Sequence, residues 1–83
     1  MAIVSLDKVT PGSCVKVIEV YVDLHLKSRL ISMGIYRGAI VKVLGVFQGH
    51  VVISLDSGLG RRIALSYGIA RKILVSSDSA VLG

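Results

Sequence analysis

Tryptophan is absent from this chain of 83 residues, which holds one cysteine, one proline and five acidic side chains. Each scarcity removes a class of function. The lone Cys14 cannot close an internal disulfide and supplies no C-x-x-C pair, so a reducing, cytoplasmic setting is expected. The acids Asp7, Glu19, Asp23, Asp56 and Asp78 are scattered beside turns and exposed faces, which denies a hydrolase its paired carboxylates. Long apolar runs are missing as well. Lys16, Glu19, Asp23, Lys27, Arg29 and Lys42 interrupt every stretch before it nears the roughly 18 residues a membrane span requires. The N-terminal residues lack the basic, apolar and cleavage-site succession of a secretory signal.

What is present is apolar and basic. Hydrophobic residues make up 53% of the chain, and the mean hydropathy is +0.77. A chain of this length forms one small domain that buries only roughly 60–65% of its unfolded surface. Its interior cannot take so many apolar side chains, so some are expected on the surface to meet a partner, a second copy included. The plainer account is an interior rich in alanine, valine and isoleucine. Ten Lys and Arg leave a net charge of +5, which suits nucleic acid, an anionic membrane surface or an acidic protein face. The bases are dispersed, with Arg61-Arg62 and Arg71-Lys72 the only adjacent pairs, and a solvated surface is the favoured account of them.

Local pattern predicts mostly strands. Ser5 to Gly12 reads as an extended lead-in closed by a Pro11-Gly12 turn. Ser13 to Tyr21 is a strand in which Val15 and Val17 share one face and Ile18 and Val20 the other, which predicts a bulge near Ile18. Asp23 is placed to cap a helix over 24–33, whose Leu26, Leu30 and Met33 recur on one face. Gly34 stands where the helix end requires positive φ. A second strand covers 39–47, with Val41, Val43 and Phe47 expected on one side, and Gln48-Gly49 is a tight turn. The third strand, 50–56, alternates Val51, Ile53 and Leu55 with His50, Val52 and Ser54. After the Ser57-Gly58-Leu59-Gly60 turn come a fourth strand at 61–65, a helical turn capped by Ser66, and a fifth strand at 72–76. Five short strands with one inserted helix predict a mainly β, small, partly open barrel over 1–76 and a loose tail over 77–83.

Chemistry-bearing residues are few. Cys14, His25 and His50 are the candidates for nucleophile and base, but Cys14 opens a strand, where a half-buried thiol is ordinary. The same residues with Asp23 are the candidates for metal ligands. His25 and His50 are far apart in sequence and form no H-x-x-x-H, so a monomer would hold an incomplete set. Gly58-Leu59-Gly60 lacks the third glycine of a phosphate loop. The aromatics Tyr21, Tyr36, Phe47 and Tyr67 lie on separate segments without flanking basic pairs, so nucleic acid is not the expected partner. The polar side of the helix carries His25, Ser28, Arg29 and Ser32, and Arg37 follows just beyond Gly34. This basic, mixed patch is either a docking face or a solvated one.

The order and spacing of these pieces resemble one family. Leu6, the Pro11-Gly12 turn, Val15 and Val17 lead to Arg29-Leu30-x-x-Met33-Gly34-Ile35-x-x-Gly38. Val41, Val43, the Val52 to Leu55 strand, Ile63-Ala64-Leu65 and Ala70-x-x-Ile73-x-Val75 follow. Over residues 3–76 the chain resembles FeoA, the small cytoplasmic component of bacterial ferrous-iron transport. The resemblance implies an SH3-like five-stranded barrel with a short α-helix between the first two strands and a helical turn before the last. It implies a non-enzymatic accessory of ferrous-iron uptake, without a cofactor, in contact with the cytosolic region of the membrane permease FeoB. A similar domain forms the C-terminal module of DtxR-type metal-dependent repressors, so a metal-sensing module is a rival reading, as is a nucleic-acid-binding barrel. One departure is the Phe47-Gln48-Gly49-His50 loop, where members often carry a Pro-Leu-Gly-like stretch. The residues expected to meet the partner are His25, Arg29, Arg37, Arg61 and Arg62.

Overall fold

Valine and isoleucine at alternate positions build a single antiparallel sheet in the computed structural model, which describes residues 3–55 and 61–76. The strands are β1 (Ile3–Ser5), β2 (Cys14–Val20), β3 (Ile40–Phe47), β4 (His50–Leu55), β5 (Arg62–Ser66) and β6 (Ile73–Ser76). Helix α1 (Leu24–Ser32) joins β2 to β3, and α2 (Tyr67–Ala70) joins β5 to β6. The sheet order is β1-β6-β2-β3-β4-β5. The strand count therefore needs correction: six rather than five. The barrel, expected to be partly open, is not closed, because among the described strands β1 and β5 each have only one neighbour. The extra strand precedes the expected lead-in and shares only Ser5 with it, while Leu6–Lys8, expected to be extended, form a 3-10 turn. Ile3, Val4 and Ser5 pair with Ser76, Val75 and Leu74, which covers an edge of β6 that would otherwise lie bare. Helix α2 carries the chain from β5, at one edge, to β6, between β1 and β2 near the other edge. The Ser57-to-Gly60 turn, Asp56, and the tail 77–83 lie outside the described residues.

One apolar layer holds the sheet to α1. Val15, Val17 and Val20 of β2, Val41 and Val43 of β3, Val51 and Ile53 of β4, and Ile73 and Val75 of β6 are all buried. Among the described residues no polar or charged side chain is buried. Val20 joins Val15 and Val17 because the register slips between Val17 and Glu19, so the bulge expected at Ile18 returns the strand to its inner face. A second slip, between Val43 and Gly45, overturns the placing of Phe47. Beyond it Phe47 pairs with His50 on the outer face and is 62% exposed. Gln48 and Gly49, both at positive φ, make the two-residue turn that follows.

Helix α1 is bounded by its own sequence. The Asp23 carboxylate accepts the Leu26 N–H at 2.8 Å, satisfying a donor with no partner inside the helix. Gly34 at φ +101° then lets its own N–H reach the Ile31 carbonyl and the Ile35 N–H reach that of Leu30. Replacing Asp23 by alanine should cost about 1 kcal/mol. In a domain of this size that lowers the melting midpoint by about 4–8 °C, measurable by thermal denaturation.

Candidate functional site

Helix α1 turns its faces to different surroundings. Leu30 is its one buried residue, with Leu26 and Met33 packed beside it against the core. On the other side Leu24 and Ile31, seven residues apart, are 81% and 50% exposed. Tyr36, beyond the helix, is exposed too. Burying the apolar area these groups still expose would contribute about 25 cal/mol per Å². The spacing of Leu24 and Ile31 was the available sequence signal, overshadowed by the inward set at Leu26, Leu30 and Met33.

A depression beside this face is lined by Val20, Lys27, Ile31, Ile35, Tyr36 and Arg37. The bulge in β2 organises its rim. Arg37 Nε donates to the Ile18 carbonyl at 3.3 Å and lies 3.2 Å from Glu19 Oε1. Lys27 Nζ approaches Glu19 Oε2 at 3.7 Å. One carboxylate thus gathers two cations from separate segments. Exposed pairs of this kind contribute only about 0–1 kcal/mol each, so they orient charge rather than hold the fold. Lys27 and Glu19 were not among the expected site residues, because their meeting depends on the bulge and on the angle at which α1 crosses β2.

The expected partner-contacting residues separate into groups. His25 and Arg29 are both exposed on α1, and Arg37 stands at the bulge. Arg29 lines a second groove, whose walls are Leu26, Leu30 and Met33 on one side and Ala64, Leu65 and Ser66 on the other. His50 lines the same groove, its Nδ1 3.2 Å from the Gln48 carbonyl. Arg61 lines a third hollow, with Tyr36, Gly38 and Leu55, and Arg62 opens β5. The candidate metal ligands do not converge. Cys14 is half-buried at the start of β2, Asp23 caps α1, His25 is exposed in its first turn, and His50 opens β4. Among the described residues no three of His, Cys, Asp and Glu form a group fit to hold a metal ion. Among the same residues no helix is long and apolar enough to cross a membrane.

Comparison with known proteins follows this geometry. The FeoA domain family matches residues 4–77. The fold superposes on the crystal structure of an iron uptake regulatory protein (FeoA) at 30% identity and a TM-score of 0.75, covering 90% of this chain and 96% of that one. A FeoA-like protein from Clostridium acetobutylicum is 25% identical with a TM-score of 0.76, covering 94% of this chain and 90% of its own. A manganese-dependent transcriptional repressor shares the fold at a TM-score of 0.80 and 22% identity, over 93% of this chain and 37% of its own length. No curated protein sequence gives a significant match.

Proposed function

This chain belongs to the FeoA family of ferrous-iron transport, and from that membership we propose that it is a non-enzymatic accessory of Fe(II) uptake. It acts by contact with the cytosolic region of the permease FeoB and needs no resident cofactor. The family match over residues 4–77 is the observation that carries this reading. The physical support is the mixed surface around α1. Leu24, Ile31 and Tyr36 supply apolar area for affinity, while Lys27, Arg29 and Arg37 supply positive charge that steers encounter with an acidic face.

The experiment is a pull-down of the FeoB cytosolic region by this chain at moderate salt, paired with Fe(II) accumulation in a strain lacking the protein. Binding together with reduced accumulation is expected. Ile31→Glu should leave the fold intact, since the side chain is half exposed, and weaken the complex by about tenfold or more. No complex and unaltered accumulation would end the proposal. Stoichiometric binding of Fe(II) or Mn(II) by calorimetry would move the reading toward a metal-sensing module.

A further inference from the structure

Strand β5 leaves half of its backbone hydrogen-bonding capacity unused among the described residues. Its register with β4 is Ser54↔Arg62, Ile53↔Ile63, Val52↔Ala64 and Val51↔Leu65. The Leu55 N–H donates to the Arg61 carbonyl at 3.0 Å, and the Tyr67 N–H donates to that of Gly49 at 3.1 Å. In an antiparallel ladder hydrogen-bonded pairs recur at every second residue, so Arg61, Ile63 and Leu65 turn their N–H and C=O toward β4. Arg62 and Ala64 turn theirs the other way, where β5 has no neighbouring strand. Both residues are exposed.

Edges of this kind are usually blunted by a bulge, a proline or a cover of helix or loop. The β4–β5 register runs without a slip, and β5 has no proline. In place of a cover there is a groove. Ala64, Leu65 and Ser66 form one wall, and Leu26 and Met33 of α1 form the other. The small Ala64 side chain leaves the approach to the edge open. Among the described residues the charge that lines it is of one sign. Arg29 lines the groove, Arg61 and Arg62 stand at the start of the strand, and among the described residues no carboxylate lies within ion-pair distance of any of them.

We propose that the open edge of β5 and the groove beside α1 bind an extended acidic segment of a partner protein, which adds to the sheet as a further strand. Its backbone bonds to Arg62 and Ala64. Alternate apolar side chains drop toward Leu26 and Met33, and its carboxylates meet Arg29, Arg61 and Arg62. The occupant is an acidic segment rather than a second copy, because Arg29, Arg61 and Arg62 call for negative charge, whereas another copy of this chain would bring a further net charge of +5. This surface includes neither Leu24 nor Ile31, and Arg29 is the one residue it shares with the mixed surface around α1.

The test uses the whole chain, isotopically labelled, and a short capped peptide alternating glutamate and valine. The expected result is that the Arg62 and Ala64 amides shift and gain protection from hydrogen exchange, while a peptide alternating lysine and valine does neither. Ala64→Pro removes an edge N–H that plays no part in pairing with β4, a position where proline is tolerated. It should weaken peptide binding by about tenfold or more. Arg61→Glu combined with Arg62→Glu should do the same without altering the backbone, and it decides the matter should the proline variant unfold. Unchanged binding by folded variants, equal binding of the lysine peptide, or shifts confined to other strands would overturn the proposal. Protection of Arg62 and Ala64 that rises with protein concentration, in the absence of peptide, would overturn it in favour of a second copy. Retention of the FeoB cytosolic region by Ala64→Pro would leave the accessory role standing while excluding this edge as its contact.

Discussion

Replacing Leu30 by alanine should destabilise the protein by about 2–5 kcal/mol, the range for deleting a fully buried leucine side chain whose cavity cannot collapse. Leu30 is 2% exposed and is the single buried residue of α1. Its flanking partners Leu26 and Met33 are only half-buried, so they cannot hold the helix to the sheet once that anchor is gone. For a domain of this size the loss is a large fraction of the total stability. Chemical denaturation read by circular dichroism would give the magnitude. Hydrogen exchange would show its location, with α1 amides opening before those of β3 and β4. A loss below about 1 kcal/mol would mean that α1 is held by something other than this contact. Both grooves that involve α1 should disappear in the variant, and partner binding with them.

Gly34→Ala is the second large effect, and its cause is conformational. At φ +101° an alanine is strained, at a cost of about 1–2 kcal/mol. A Cβ at this position would also come within 2.9 Å of Leu55 Cδ1. That atom is the end of a flexible side chain, so it can move, and backbone strain remains the larger part. Gly38 provides the control, since it has φ +94° but nothing within 4 Å of its would-be Cβ. Thermal melts of the two alanine variants should show Gly34→Ala as the more damaging, by the amount that displacing Leu55 costs. Equal losses would assign the whole effect to backbone strain. The carbonyls of Leu30 and Ile31 would lose their bonds to Ile35 and Gly34 if the turn distorts, so the last turn of α1 should fray in the variant.

The helix and its two ends could be read from the sequence because their causes are local. Asp23, Leu26, Leu30 and Gly34 lie within one short window, and each acts on neighbours three to five residues away. The β2 bulge was equally readable, since the apolar alternation changes phase at Ile18. β1 was not. Three residues show no periodicity, and the partner of Ile3 is Ser76, at the other end of the chain. Phe47 was misplaced because the slip near Leu44 shifts side-chain parity, although Gly45 inside an apolar strand is the usual mark of such a slip. The candidate site divides along the same line. His25 and Arg29 could be placed on one helix from spacing alone. The gathering of Lys27 and Arg37 about Glu19, and of Arg29 with Ala64, depends on how distant segments meet.

The position of β6 governs when a nascent chain can become a folded one. Among the described residues β6 is the last strand to be made, yet it lies between β1, the first of them, and β2, so the sheet cannot be assembled in order of synthesis. Until it arrives, β1 has no partner and one side of β2 stays bare, with its valines uncovered. Native pairing of that half of the sheet must therefore await the synthesis of β6, in line with the slow folding of proteins dominated by distant contacts. A message truncated anywhere ahead of Ile73 would release a chain with exposed strand edges, a substrate for chaperones and proteases rather than a smaller working protein.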